Sequence, residues 1–484
     1  MIRIYIKLST LKIRKTMRPT NGLLSFREKV AYGFGDLASV LYWQTFMLYF
    51  TYFYTDVFII PASVAATMFL VSRLFDGIND PIMGMIADRT QTRWGKFRPY
   101  LLWLCVPFAI AGVLVFTTPN FGETGKIIWA YSTFILIMML YTAINIPYTA
   151  LLGVISPNSH DRTSVSSMKF IFAFSAGIIV SATLLPMTKA LGGGNDQQGW
   201  QYTFMVYGVA AIIFFLIAFK GTRERVLPPK SQQSSVKKDI YELVTNQPWL
   251  ILLATTLTFI LFVAVRSSVT AHYFKYFIDQ QTLTLPFLGT RTYSFETMVS
   301  AYNTIGQLSS LIGVVVVLWI SKLLGKKKTF ILFFVIAIVS TSIVYILTTE
   351  QLGLIYLFQI TGSMTGGPLS VLLWAMYADT ADYGEWVRGR RATGLVFSAS
   401  TMSQKFGWAI GAYIALTLMA GVGFEPNVAQ TQESLKGLLS LFTIIPGGIG
   451  IISLIIYLTY PLNEARVKVM TDELEARRAD AERE

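Results

Sequence analysis

Apolar residues come in long runs along this chain, each about the roughly 20 residues that a helix needs to cross a bilayer. Twelve such runs fall near residues 30–54, 61–85, 99–118, 127–153, 166–189, 201–219, 248–276, 297–321, 329–348, 352–378, 393–420 and 437–460. Polarity does not alternate within them as it would over the roughly ten residues of a transmembrane β-strand. The pattern predicts an all-α polytopic membrane protein with 12 transmembrane helices, spans one to twelve. A longer polar stretch around 220–247, KGTRERVLPPKSQQSSVKKDIYEL, reads as a cytoplasmic central loop. It divides an N-terminal six-helix half, 30–219, from a C-terminal six-helix half, 248–460. Segments 1–29 and 461–484 flank them. The tail has almost no apolar face and is expected to be a solvated helix or disordered.

Basic residues sort to one side of this layout. They precede span one and follow spans two (Arg89, Arg93, Lys96, Arg98), six (Lys220, Arg223, Arg225), eight (Lys326, Lys327, Lys328) and ten (Arg388, Arg390, Arg391). The intervening loops hold little beyond Lys126, Lys189, Arg291 and Lys436. The positive-inside rule then puts both termini in the cytoplasm of a cell inner membrane. These loops account for the net charge of +13, so nucleic acid is not an expected partner. Only 14% of the residues are charged, against about 25% in a soluble domain. Cys105 is the single cysteine, which excludes an internal disulfide or a cysteine-based metal site. The basic N-terminus lacks the apolar core and cleavage site of a signal peptide. Met17 offers a shorter start, and residues 1–16 are expected to be dispensable or untranslated.

Some polar residues interrupt the apolar runs at a cost. Asp76 and Asp80 lie in span two, four positions apart and so on one helix face. A carboxylate in hydrocarbon costs roughly 2.5–3.5 kcal/mol on insertion scales. Two on one face repel, so the pair can take up a proton or share a small cation. The alternative is a packing pair neutralised by Arg73 or Lys405. Span one offers Asp36, Trp43 and Gln44, the mix of polar groups and aromatic surface that a sugar needs. Asp36 could instead pair with Lys169 or Lys405, and Trp43 could simply pack. Span seven, in VAVRSSVTAHYFKYF, carries Arg266 and His272; a base facing a central cavity would suit a carboxylated or sulfated sugar. For His272, hydrogen bonding near the outer surface is the other reading. Trp374, near the inner end of span ten, could shape a cavity floor or pack. No nucleophile–base pair, metal cluster or nucleotide loop points to an enzyme or a cofactor.

The string GMIADRTQTRWGKFRPYLL after span two resembles the cytoplasmic loop signature of major facilitators, with Gly84 for close helix approach and Asp88 to accept bonds from Arg89 or Arg93. Trp94-Gly95-Lys96 there is echoed by Leu324-Gly325-Lys326 after span eight. Parallel six-helix halves with a midplane site belong to that architecture. A larger set of motifs resembles the glycoside–pentoside–hexuronide cation symporter family: KVAYGFGDLAS at span one, FDGINDPIMGMIADRTQTRWGKFRP, YTAINIPYTALLG in span four and YADTADYGEW after span ten. The resemblance implies a major facilitator fold and a secondary transporter coupling sugar uptake to H+, Na+ or Li+. It implies that Asp76 and Asp80 are the cation-site acids, with Thr142 a nearby hydroxyl. Asn145 stands where a well-known member has an aspartate. Tyr141, Thr149, Lys169 and Lys405 fall at or near sugar-site positions; Asp379, Asp382 and Arg391 match charges of the cytoplasmic loop. That member's sugar-binding acid falls at Val40 and its sugar-site tryptophan at Thr149, which argues against the same sugar.

The expected function is secondary active import of a glycoside, pentoside, hexuronide or short oligosaccharide by alternating access, with H+ or Na+ as the monovalent coupling cation. The one-acid reduction at Asn145 leans toward H+. The lipid bilayer is the surrounding medium, a monomer is the expected state, and Na+ is the only metal implied. A carrier of the same fold for a lipid, peptide or drug would need a more apolar cavity, without Asp36, Gln44, Lys169 and Lys405.

Overall fold

A computed structural model describes residues 24–156, 159–225, 241, 243–285, 289–389 and 393–481. All twelve expected runs are helical. Span one is Phe26–Tyr52, extended by a π-helical turn, Phe53–Val57; spans two to six are Ala62–Arg89, Arg98–Val115, Glu123–Val154, Ser159–Gly192 and Asp196–Gly221. Span seven, Gln247–His272, is also extended by a π-helical turn, Tyr273–Ile278. Spans eight and nine are Phe295–Leu324 and Lys326–Ser342, and span eleven is Thr393–Gly421. Span ten breaks between Leu352–Gly366 and Leu369–Arg388, where Gly367 and Pro368 interrupt the hydrogen-bond ladder. Span twelve breaks at Thr443, between Gln432–Phe442 and Ile444–Leu458.

Among the described residues, eight of these helices are long and apolar enough to cross a membrane. Spans one, two, ten and eleven are not in that group, and they are the ones that hold Asp36, Asp76, Asp80, Asp379 and Lys405. Several helices outrun their apolar cores: span two continues to Arg89 and span ten to Arg388. Helical hydrogen bonding persists beyond the hydrocarbon as long as nothing competes for the backbone. Side-chain caps mark several starts: Ser25 for span one, Asn195 for span six and Asn246 for span seven.

The Gly-Lys echo after spans two and eight is also an echo in structure. Gly95 (φ 114°) and Gly325 (φ 79°) both adopt backbone angles that favour glycine. Each lies against a glutamate that follows the last span of its half, Glu224 and Glu464. Glu224 accepts from the backbone N–H groups of Lys96, Phe97 and Arg98 at 2.7–3.0 Å, capping the start of span three with a negative charge. Glu28 and Arg225 form a nearby ion pair at 2.7 Å. On the same face Lys326 reaches Asp379 at 2.6 Å.

Two elements lie outside the spans. Antiparallel strands β1 (Gln281–Leu285) and β2 (Gly289–Tyr293) form a hairpin between spans seven and eight. The tail forms a helix, Glu464–Ala481. It has an apolar contact side after all, since Met470 and Leu474 are buried. Glu473 accepts from the Trp386 indole at 2.7 Å and Arg477 donates to the Trp386 carbonyl at 3.0 Å, docking the tail on span ten.

The halves meet where span one packs on seven, two on eleven and five on eight. On the face away from the chain termini this contact is locked by a buried polar cluster. Asp56, in the π-helical turn of span one, is 5% exposed and lies 3.0 Å from His272 Nε2 and 2.8 Å from Lys275 Nζ. It also accepts from the Tyr276 hydroxyl. Asn427 donates to the Asp56 carbonyl at 2.8 Å, and Thr55 bonds His272 at 2.9 Å. Lys189 and Glu296 join spans five and eight nearby at 3.1 Å.

Candidate functional site

Span two brings its two acids to the contact with span eleven. Asp76 is buried. Asp80 accepts from the Thr142 hydroxyl of span four at 2.9 Å and from the Lys405 ammonium of span eleven. Lys405 thus supplies a positive charge to an acid pair of the opposite half. It is the ion-pair partner that the packing alternative required, and its ammonium stands where a transported cation would neutralise the same carboxylate. The Arg73 side chain lies outside the described residues. Asn145 faces differently: its amide donates to the Tyr141 carbonyl of its own helix at 3.0 Å. Asp80 of span two and the Thr142 hydroxyl of span four therefore form the polar set at Lys405, with Asp76 buried one turn earlier on span two.

The span-one motif has a packing reason. A Cβ at Gly33 would lie 2.6 Å from the Phe172 ring, and one at Gly35 would lie 2.5 Å from that of Tyr148. The two glycines let span one close on spans four and five. Tyr32 and Tyr148 stack at 4.6 Å, and each donates its hydroxyl to the other's carbonyl. Asp36 follows directly, buried, with Lys169 Nζ at 3.8 Å and that ammonium over the Tyr148 ring. Two turns along, Trp43 stacks on Tyr141 at 5.3 Å. Gln44 lies beside Gly177 and Gln307, since a Cβ at Gly177 would sit 3.8 Å from the first and 3.2 Å from the second. Thr149 is exposed.

The C-terminal half contains a cavity of about 320 Å³ near the middle of spans seven, eight and ten. Arg266, Asn303, Gln307, Gln359, Gln404 and Trp408 line it. Gly306 and Gly313 let spans eight and ten approach closely, with a Cβ at either meeting Gln359 or the Met364 carbonyl within 2.3 Å. Arg266 is held by the Tyr302 hydroxyl at 2.5 Å and the Thr341 hydroxyl at 3.3 Å.

Other expected residues lie elsewhere. His272 is fully buried in the Asp56 cluster, hydrogen-bonded to Thr55, and is not among the residues that line this cavity. Trp374 packs on Tyr377 at 6.1 Å and is not a cavity-lining residue. Gly84 is not required for close approach in this conformation, because a Cβ there would be in ordinary contact, 4.0 Å from Ile146. Arg93 is exposed and covers the Trp94 ring at 4.3 Å. Asp379 is engaged by Lys326, and Asp382 is half-buried close by in span ten. The Asp88 side chain and Arg391 lie outside the described residues, as do residues 1–16. Sequence reasoning missed Asp56, Lys275 and Asn427, and also Asn303, Gln307, Gln359 and Gln404. Asp56 carried a signal, an acid inside FTYFYTDVFII; the neutral amides carried little.

The sequence pattern of MFS/sugar transport proteins matches residues 31–464. The chain belongs to that family. It is 34% identical to the isoprimeverose transporter of Lactiplantibacillus pentosus over 93% of this chain and 91% of that protein. It is also 34% identical to the putative glycoside/cation symporter YagG of Escherichia coli (strain K12), over 94% and 96% of the two chains. In fold it is similar to a bacterial homologue of the human lysosomal transporter Spinster, with a TM-score of 0.63 at 13% identity over 92% of this chain and 100% of that one. The family membership accounts for the multi-pass helical architecture.

Proposed function

We propose that this chain is a sugar:cation symporter that imports a glycoside, pentoside, hexuronide or short oligosaccharide across the inner membrane. The observation that carries the reading is Asp80, held at once by Thr142 of its own half and by Lys405 of the other. A cation arriving at Asp76 and Asp80 competes with Lys405. Release of Lys405 frees span eleven, whose Gln404 and Trp408 line the cavity. Cation and sugar thereby act on one helix, which is what coupling between their sites requires. Similarity to an isoprimeverose transporter and to a putative glycoside/cation symporter supports the same substrate class.

The coupling ion in this reading is H+. A proton neutralises Asp80 without further ligands, whereas Na+ needs several oxygens, and the Asn145 amide donates to Tyr141 on its own helix. The basic loops support cytoplasmic termini, so the Asp56 cluster closes the outer face and cargo leaves inward. Residues 30–219 and 248–460 act as the two moving halves of a monomer. A membrane potential favours inward movement of a positively charged complex by about 2.3 kcal/mol per charge per 100 mV.

Uptake by proteoliposomes, with imposed H+ or Na+ gradients and a panel of glycosides, pentosides and uronides, tests this. Wild type is expected to accumulate one of these sugars against its gradient when protons are supplied. Asp80→Asn is expected to equilibrate the sugar without accumulating it, with its melting temperature near that of wild type. Uphill uptake by Asp80→Asn would defeat the assignment of the cation site.

A further inference from the structure

We propose that the C-terminal-half cavity is an anion-recognising subsite, and that the transported sugar carries a carboxylate or sulfonate bound by Arg266. The proposal rests on the sugar-transport reading above and narrows its substrate class. A guanidinium at mid-span is costly, and such residues normally pair with an acid or face a polar path. Four other bases within or beside the spans each have an acid: Lys169 has Asp36, Lys275 has Asp56, Lys326 has Asp379 and Lys405 has Asp80. Arg266 differs. Its partners are the hydroxyls of Tyr302 and Thr341 and the rings of Phe442 and Tyr302, at 4.9 and 5.9 Å. All are neutral. Its Nε is buried and makes no hydrogen bond among the described residues, and no acidic residue lines the cavity.

The rest of the wall suits a sugar ring. Asn303, Gln307, Gln359 and Gln404 offer donors and acceptors for hydroxyls, and Trp408 offers an aromatic face. The volume of about 320 Å³ falls within the roughly 300–1,000 Å³ of small-molecule sites. Gln307 and Gln44 both lie beside Gly177, and Leu48 of span one lines the cavity, so its wall borders the N-terminal half. A guanidinium binds a planar carboxylate through two parallel hydrogen bonds, which a lysine cannot reproduce.

The test compares methyl glucuronide, 6-deoxy-6-sulfoglucose and methyl glucoside as competitors and as labelled cargo in proteoliposomes. Wild type is expected to favour one of the two acidic sugars over the glucoside at least tenfold; which one identifies the anion. Arg266→Gln is expected to lose that preference at least tenfold, with the acidic sugar losing far more than the glucoside, and Arg266→Lys to recover only part of it. Melting temperatures of both variants report folding separately. Wild-type preference for the glucoside, or an equal loss for all three sugars in Arg266→Gln, would overturn the proposal and leave the symport reading standing. No cation-driven uptake of any sugar in the wider panel would overturn both.

Discussion

Asp80 bonds across the two halves and is the acid at which the proposed coupling ion acts, and Asn145, one turn beyond Thr142 on span four, sets how many acids that helix brings to the proposed site. Asn145 donates to the Tyr141 carbonyl one turn back. An aspartate there cannot donate, so Asn145→Asp would lose that bond and leave a third carboxylate near Asp76 and Asp80. Three acids favour a retained metal cation over a single proton. Asn145→Asp is therefore expected to gain stimulation of sugar uptake by a Na+ gradient, at least several-fold above wild type. Unchanged Na+ response, measured in the same vesicles, would remove Asn145 from the site. The acid pair was legible in the sequence because a carboxylate in hydrocarbon is too costly to be incidental. The pairing with Lys405 was legible only as one of two options, since spacing along span two says nothing about which distant helix packs there. The amides around Arg266 were not legible: asparagine and glutamine occur in many helices, and only the tertiary arrangement gathers them.

At the scale of elements, the first helix of each half ends in a π-helical turn, Phe53–Val57 and Tyr273–Ile278, and Asp56 and Lys275 of these turns pair in the cluster that closes the face away from the chain termini, the outer face in the proposed orientation. A π turn widens the helix locally and leaves its ladder weaker, which suits a segment that must open and close. Among the described residues, Asp56 is the only carboxylate paired with His272 and Lys275. Breaking a buried pair by removing one partner typically costs about 3–5 kcal/mol, and opening the cluster to water relieves it. Asp56→Asn is thus expected to raise the population open to the outside, tenfold for each 1.4 kcal/mol or so. Ser268→Cys, in a Cys105→Ala background, supplies a reporter beside Thr51 at this contact. Its labelling from outside by a membrane-impermeant thiol reagent should be at least tenfold faster with Asp56→Asn. A rate no higher than in the parent would show that this cluster does not hold the outer face shut. The hydrophobic pattern foretold these helices but not their π turns, because one extra residue per turn hardly shifts an apolar stripe. It also overlooked the docking of the tail, where Val467, Met470 and Leu474 make the apolar contact.

At the scale of the whole molecule, the two halves are separate enough to be made apart. Glu224 and Arg225 fold back onto Lys96–Arg98 and Glu28, so the end of span six is fastened within its own half. Asn246 caps span seven and donates to the Thr380 carbonyl, so the second half begins with its own anchor. Apolar packing of span one on seven, two on eleven and five on eight supplies the association, reinforced by the Asp56 cluster and by Asp80 with Lys405. Joining the halves in one chain mainly raises their effective concentration, a contribution that varies slowly with linker length. A chain divided between Pro228 and Pro229 and expressed as two pieces is therefore expected to reassemble in the membrane. Affinity purification through a tag on the first piece should recover the second, and vesicles holding both should show cation-driven sugar uptake that neither piece shows alone. If the pieces co-purify without uptake, the linker has a role in the transport cycle beyond tethering. If they do not co-purify, the central loop is part of what holds the halves together, and 220–247 is not a simple divide between two six-helix units.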